Sequence, residues 1–257
     1  MKLRYLPSTY ETIDFELTLI CNFRCKNCIR FCGMREATGI DYSKSELTMG
    51  QVENFIDQVE CVFRKTGKRV FQNMILSGGE PTLHPRLLDI LKLLTTKLVS
   101  KDMAKNIWVN SNLVKEPIAE IKDITINFTT VQDKPKEHIA VLYYEGGDPT
   151  KTYFDCKSIL NKNKIVFSYQ GYNLCCWADG YIRLFCAEDL FLDRLPESIE
   201  GFPLDKMAKV CGYCCANNKS LFERDVGSPI SDVFAKEIEK NLAGRRITKI
   251  FPEKTHI

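Results

Sequence analysis

The sequence predicts an α/β protein with parallel strands, and three observations support this. Along the first half of the chain, short apolar runs of strand type alternate with longer runs whose apolar residues recur every three or four positions. Breaks that contain glycine, serine or proline separate these runs. A helix between consecutive strands forms a crossover connection, which makes the strands parallel and predicts an α/β layer or a barrel.

Local patterns predict the individual elements in turn. Phe15, Leu17 and Leu19 alternate with polar residues in a strand that ends at Cys21, and Thr48 is a suitable N-cap for the first helix. The later predicted strands are Val70 to Leu76, Ile107 to Val109, Ile124 to Phe128, Ile165 to Phe167 and Tyr181 to Phe185. The predicted helices are Leu47 to Lys65, Pro85 to Leu98, Val114 to Ile121 and Ser231 to Leu242.

The charge balance predicts neither a nucleic-acid partner nor a membrane partner. The 257 residues include 36 basic and 33 acidic side chains, which leaves a net charge of +3 with no basic stripe. The N-terminal segment has no apolar signal region, and the apolar runs are too short to cross a bilayer. We therefore expect a cytoplasmic protein whose 12 cysteines are reduced and, where they cluster, bind metal.

The first cysteine cluster lies directly after the first strand. Cys21, Cys25 and Cys28 form a Cys-x3-Cys-x2-Cys motif in the loop at the carboxyl end of that strand, where α/β folds place their chemistry. Three thiolates can hold three irons of a cubane cluster and leave the fourth iron for a non-protein ligand. The alternative is a structural zinc site in which Cys32 supplies the fourth thiolate.

A second motif, Ser77-Gly78-Gly79-Glu80-Pro81, follows the next strand about fifty residues after the cysteines. Glycines at this position allow the backbone to approach a ligand closely, and the Glu80 carboxylate can accept a hydrogen bond from a ligand amine. The carboxyl ends of parallel strands meet at one edge of a sheet, so we expect the two motifs to lie together.

Together, the two motifs resemble those of the radical S-adenosylmethionine enzymes. The resemblance rests on residues 21–28 and 77–81. It implies that Cys21, Cys25 and Cys28 ligate a 4Fe–4S cluster whose open iron binds the amino and carboxylate groups of S-adenosylmethionine. It further implies that an electron from the cluster cleaves the sulfonium, giving a 5′-deoxyadenosyl radical that abstracts a substrate hydrogen.

The same resemblance implies two sets of residues that contact S-adenosylmethionine. The first set, beside the methionine amine, is Gly78, Gly79 and Glu80. The second set, near the ribose or carboxylate at the end of the next strand, is Asn110, Ser111 and Asn112. This sequence departs from the family at Asn27, which stands where an aromatic residue commonly packs beside the adenine.

A second cysteine-rich zone, residues 156–215, resembles the auxiliary-cluster extension called a twitch domain, a half-size relative of the SPASM domain. The resemblance implies a second 4Fe–4S cluster beside the substrate, closed by four thiolates. The preferred ligands are Cys176, Cys186, Cys211 and Cys214, and the alternatives are Cys175, Cys156 and Cys215. The competing interpretation is a zinc ribbon, because thiolates suit either metal.

These expectations combine into one architecture and one activity. Residues 1–165 are expected to form a partial parallel (β/α) barrel of five or six units, and residues 166–257 a small auxiliary-cluster domain with a C-terminal helix. The resemblance implies a radical S-adenosylmethionine oxidoreductase that dehydrogenates an alcohol on a small polar metabolite, such as a sugar or an aminocyclitol. A reducing protein such as flavodoxin or ferredoxin would supply the electrons.

Three alternatives stay open at this point. A peptide- or protein-modifying enzyme of the same superfamily is disfavoured because only about fourteen residues precede the first strand, which leaves little room for a peptide-binding domain. An activase for glycyl-radical enzymes would not need the second cysteine set. A zinc-stabilised binding or regulatory protein belongs to another class, and metal analysis distinguishes it from an iron–sulfur enzyme.

Overall fold

Six strands among the described residues form one sheet with the first strand at its centre. The computed structural model describes residues 10–22, 28, 30–32, 41–111, 127–130, 164–174 and 190–203, together with positions 206, 236, 239 and 240. The strands are β1 Tyr10–Thr18, β2 Phe71–Gly78, β3 Ala104–Ser111, β4 Asn127–Thr130, β5 Lys164–Ser168 and β6 Gly171–Asn173. Their spatial order is β4-β3-β2-β1-β5-β6. The first five strands run parallel, and β6 returns antiparallel to β5.

The helix α1, Met49–Thr66, lies between β1 and β2 in the chain and begins at the predicted N-cap. The Thr48 side chain accepts a hydrogen bond from the Gln51 N–H, and the Thr48 N–H donates to Gln51 Oε1 at 2.9 Å. This reciprocal pair satisfies amide groups that have no partner within the first turn. The helix ends at Gly67, whose φ of 64° is the left-handed conformation that glycine adopts without strain.

The helix α2, Leu87–Leu94, lies between β2 and β3 and starts later than its predicted beginning at Pro85. His84 precedes that proline and is extended, as residues before proline tend to be. Arg86 is also non-helical, so the first helical residue is Leu87. A π-helical turn, Thr95–Val99, continues α2 to the predicted C-terminal region.

One face of the sheet is apolar and is covered by the helices. Phe55 of α1 lies at the centre of this core, and its ring packs against four other rings from four strands. The centroid distances are 4.9 Å to Phe15, 5.0 Å to Phe167, 6.0 Å to Phe71 and 6.3 Å to Tyr172. Aromatic rings at these distances add to the stabilisation that comes from apolar burial.

The opposite face, called here the polar face, carries the buried polar side chains of the sheet together with Ile75 and Trp108. Asp14 and Glu16 alternate with the apolar residues of β1, so their side chains lie away from the helices. Both are nevertheless buried, with 4% and 1% of their surface exposed. On the same face, Asn106 Nδ2 of β3 donates to Asn73 Oδ1 of β2 at 2.9 Å. The helices thus pack on one face of the sheet, while the polar face offers hydrogen-bonding side chains on the other.

The predicted α/β class is confirmed, and the mostly parallel sheet is compatible with a partial barrel. The predicted helix at 114–121 and the strand at 181–185 lie outside the described residues, while positions 236, 239 and 240 of the predicted last helix are helical. β5 crosses the predicted domain boundary at residue 165, and that boundary stays a prediction.

None of the described helices has the length and apolar character needed to cross a membrane.

Candidate functional site

The two predicted motifs lie side by side at the carboxyl ends of β1 and β2. At the end of β1, Thr18 O accepts a hydrogen bond from Gly79 N at 2.6 Å, and just beyond the strand Ile20 O accepts one from Glu80 N at 2.8 Å. The chain that enters the cysteine motif at Cys21 is therefore paired directly with the Gly-Gly-Glu segment. Parallel pairing of the neighbouring strands carries both segments to the same sheet edge, as predicted.

Both glycines of this segment are required by the neighbouring backbone. Gly78 has a φ of 130°, and a Cβ on it would lie 2.2 Å from Thr18 O. A Cβ on Gly79 would lie 2.2 Å from Ile20 O. Side-chain carbons do not approach oxygens this closely, so any larger residue would push the two segments apart. The prediction assigned the glycines to close approach of a ligand; within the described residues, the close approach is between two protein segments.

Glu80 is buried, with 1% of its surface exposed, and it connects the edges of β2 and β3. Its Oε1 accepts hydrogen bonds from Thr82 N at 2.9 Å, from Thr82 Oγ1 at 2.5 Å and from Ser111 Oγ at 2.5 Å. These donors fix the orientation of the carboxylate. Of the three polar residues predicted at the end of β3, Ser111 contacts the site by its hydrogen bond to Glu80. Asn110 is exposed, and Asn112 lies outside the described residues.

Cys28 has the chemistry of a metal ligand. The pKa of its thiol is lowered to about 6, first by a hydrogen bond from Cys32 and further by backbone hydrogen bonds and the Arg30 charge, which together outweigh the effect of burial. A thiol with this pKa is mostly thiolate at neutral pH, and the thiolate is the form that binds metal. Cys32, the fourth ligand of the zinc alternative, acts in this structure as a hydrogen-bond donor to Cys28.

Cys21 and Cys28 are both half-buried and pack beside buried Leu19 and Cys32. Cys25, the third predicted ligand, and Asn27 lie outside the described residues. Within the part of the chain that the structure describes, no three His, Cys, Asp or Glu side chains converge as a metal site would require.

The predicted ligands of the auxiliary cluster also lie outside the described residues, both the preferred set and the alternatives. These are Cys176, Cys186, Cys211, Cys214, Cys175, Cys156 and Cys215.

The low pKa of Cys28 can be tested in metal-free protein. We expect the rate of iodoacetamide alkylation at Cys28 to rise with pH around a midpoint of about 6. Replacing Cys32 with alanine removes the largest lowering contribution, so the midpoint should move up towards the ordinary thiol value of about 8.5. Mass spectrometry of the Cys28 peptide after short pulses measures the rate, and urea-unfolded protein is the reference. An ordinary midpoint in the folded parent protein would contradict the expectation.

A buried charge cluster adjoins this site and was not predicted from the sequence. Arg30 donates to Asp14, Glu16 and Ser77, and Lys164 Nζ lies 3.3 Å from Asp14 Oδ2. Burial acts to raise the pKa of Asp14, but the charges of Arg30 and Lys164 and a hydrogen bond from Ser77 lower it overall. The available signal was the pair of acids, Asp14 and Glu16, at alternate positions between the apolar residues of β1.

The segment that leads into the cysteine motif is paired with the Gly-Gly-Glu segment at the carboxyl ends of two parallel strands. This is the arrangement that the resemblance to the radical S-adenosylmethionine enzymes predicts. Curated proteins similar to part of this chain agree with this class. A GTP 3′,8-cyclase from Trichormus variabilis is 30% identical over 100 residues, which are 39% of this chain and 27% of that protein.

Two further relatives are an AdoMet-dependent heme synthase and a second GTP 3′,8-cyclase. The heme synthase, from Methanosarcina barkeri, is 35% identical over 80 residues, which are 31% of this chain and 19% of that protein. The second cyclase, from Nostoc punctiforme, is 31% identical over 84 residues, which are 33% of this chain and 23% of that protein. The matches thus span about a quarter or less of the length of these relatives. No family model matches the chain.

The resemblance to the radical S-adenosylmethionine enzymes is confirmed by these relatives, which are members of that superfamily.

Proposed function

We propose that this chain is a radical S-adenosylmethionine enzyme that cleaves S-adenosylmethionine reductively and abstracts a hydrogen atom from a small polar substrate. The observation that carries the proposal is the pairing of Gly79 and Glu80 with Thr18 and Ile20. This pairing brings the segment that would hold the methionine amine against the segment that leads into the cysteine motif.

The residues present fit a 4Fe–4S cluster and its cofactor. Cys21, Cys25 and Cys28 would supply three thiolates, and the lowered pKa of Cys28 favours its ligating form. When bound, the cluster supplies the electron that breaks the sulfonium bond. The protein itself orients the cofactor. Thr82 and Ser111 hold the Glu80 carboxylate in a fixed position, from which it can accept a hydrogen bond from the ammonium group of S-adenosylmethionine.

The polar face of the sheet favours a small polar substrate over an apolar one. Glu16 and Ser77 are buried polar side chains on this face, next to the edge where the radical would form. We therefore propose dehydrogenation of an alcohol on a sugar or aminocyclitol, a two-electron oxidation. The relatives are named for other reactions, a GTP 3′,8-cyclase and a heme synthase, so this substrate class rests on the polar face and on the sequence.

The second cysteine zone completes the proposed electron path. A second 4Fe–4S cluster, bound by four of the cysteines between residues 156 and 215, would accept an electron from the substrate radical. A reducing protein such as flavodoxin or ferredoxin would return the first cluster to its reduced state. Peptide modification is the second candidate within the superfamily, and zinc in both sites is the candidate from outside it.

Anaerobic reconstitution followed by product analysis tests the proposal. We expect brown protein with about eight iron and eight sulfide per chain, and formation of 5′-deoxyadenosine after reduction with dithionite. A panel of sugars, aminocyclitols and short peptides then identifies which substrate class increases that product. Colourless protein that contains zinc, or an iron–sulfur protein that never cleaves S-adenosylmethionine, would refute the proposal.

The Glu80→Gln variant tests the assignment of the amine contact. Glutamine keeps the shape and an acceptor oxygen but removes the charge, so a charge-assisted hydrogen bond of about 1.5–3 kcal/mol is weakened. We expect the dissociation constant for S-adenosylmethionine to rise about 10- to 100-fold, as measured by equilibrium dialysis with reconstituted protein. Glu60→Gln is the matched control, because Glu60 lies on α1 and pairs with Lys101. Equal affinities of the two variants for S-adenosylmethionine would refute the assignment of Glu80 to the cofactor site.

A further inference from the structure

Arg30 lies between Cys28 and Cys32, and its side chain extends across the polar face of two strands. Its Nε donates to Glu16 Oε2 at 2.9 Å. Its Nη2 donates to Asp14 Oδ2 at 2.7 Å and to Ser77 Oγ at 3.1 Å. The guanidinium therefore fixes a residue that follows the third cysteine of the motif to residues that precede the first, and to the strand that leads into Gly78.

Among the described residues, the charges that contact Arg30 and its partners are balanced. Asp14 and Glu16 supply two negative charges, and Arg30 and Lys164 supply two positive ones. The Glu16 side chain is 0% exposed and the Arg30 side chain 12% exposed. Buried ion pairs of this kind contribute little net stability, because the loss of hydration offsets most of the attraction between the charges. What the planar guanidinium does supply is a fixed direction to each of several acceptors.

The turn that carries Arg30 is fixed at other points as well. Phe31 has a φ of 55°, an uncommon conformation for a residue other than glycine, and is 2% exposed. Phe31 N donates to Cys28 O at 3.0 Å, and the Tyr42 hydroxyl donates to Phe31 O. Cys32 is buried next to Leu19. These contacts act together with those of Arg30 to hold the described residues of the turn.

We propose that Arg30 is a positioning residue that clamps the Cys28–Cys32 turn onto β1 and β2 and so holds the Cys28 sulfur in register with Cys21. This inference rests on the proposed function, since register between the sulfurs matters only if they share a cluster. Lysine at this position keeps the charge but, as a point charge, cannot satisfy the acceptors on both strands with fixed geometry.

Two variants separate positioning from charge compensation. Arg30→Lys retains the positive charge but lacks the planar guanidinium, whose N–H groups donate in several fixed directions. Arg30→Met combined with Glu16→Gln removes one charge of each sign, so the remaining Asp14 and Lys164 stay balanced. Arg69→Lys is the matched control: its Nε donates to Asp102 at 3.0 Å in an exposed pair near the beginning of β2.

The measurements are made on metal-free and on reconstituted protein. In the metal-free protein we expect the double variant to unfold at nearly the parent temperature but to show faster hydrogen–deuterium exchange in the peptide that contains residues 28–32. In the reconstituted protein we expect both Arg30 variants to need about tenfold more S-adenosylmethionine to change the EPR spectrum of the reduced cluster. Arg69→Lys should match the parent in every measurement.

Parent-like exchange and a parent-like EPR response in the double variant would overturn the inference, because Arg30 would then only balance charge. A parent-like EPR response of Arg30→Lys would overturn it too, because the planar guanidinium would then be dispensable. If the parent protein forms no cluster that responds to S-adenosylmethionine, the proposed function fails. In that event the exchange measurement still decides whether Arg30 anchors the turn.

Discussion

Replacement of Cys21 by alanine is expected to abolish the first cluster and reduce formation of 5′-deoxyadenosine by more than about a hundredfold. Substitution of residues that only support a metal ligand already costs about 10- to 100-fold, and loss of a ligand itself should cost more. The stability of the folded, metal-free protein should change little. Cys21 is half-buried, and its thiol has a long 4.0 Å contact with Asn22 Oδ1. We expect the stability of the metal-free protein to change by less than about 1 kcal/mol.

Iron content, the EPR spectrum and chromatography of 5′-deoxyadenosine measure the effect, and urea unfolding of metal-free protein measures the stability. Cys61→Ala is the matched control, because Cys61 is also half-buried but lies on α1, away from the cysteine loop. The control should assemble the parent amount of iron and cleave S-adenosylmethionine at the parent rate. A Cys21→Ala protein that retains a cofactor-responsive cluster would refute the assignment of Cys21 as a ligand.

Gly79→Ala is the second substitution with a large expected effect, and it acts through the fold. The added Cβ would lie 2.2 Å from Ile20 O and 2.7 Å from Ile20 C. Both are backbone atoms that cannot rotate away, so the pairing of Glu80 N with Ile20 O must break or shift. We expect metal-free protein to lose about 3 kcal/mol of unfolding free energy, at the upper end of typical overpacking costs. Urea denaturation measures this loss.

Gly50→Ala is the control for the general effect of adding a methyl group to glycine. Gly50 lies in the first turn of α1, and a Cβ there meets no atom within 4 Å. Alanine restricts the unfolded chain and favours helix, so this variant should gain about 0.5–1 kcal/mol. If Gly79→Ala also proved neutral or stabilising, the tight pairing between the Gly-Gly-Glu segment and the cysteine loop would be wrong.

Much of the fold was predictable because it depends on local chemistry. Alternation along β1 and helical periodicity along α1 identify the elements, and Thr48 with Gln51 marks where the helix begins. The proximity of the two motifs also followed from local information: each motif succeeds a strand, and parallel strands end at one sheet edge. The helix predicted to start at Pro85 begins two residues later, because Arg86 is a non-helical N-cap before Leu87.

Other features depend on residues that are far apart in the chain. No local pattern places β5 beside β1, pairs Ser111 with Glu80, or brings Arg30 to Asp14 and Glu16. The role of Gly78 and Gly79 could be recognised only in the folded structure, since the atoms that exclude a Cβ belong to a segment about sixty residues earlier. Periodicity and capping patterns indicate the secondary structure of each segment taken by itself. Strand order, cross-strand charge pairs and backbone crowding arise only when distant segments meet, so the three-dimensional structure is needed to see them.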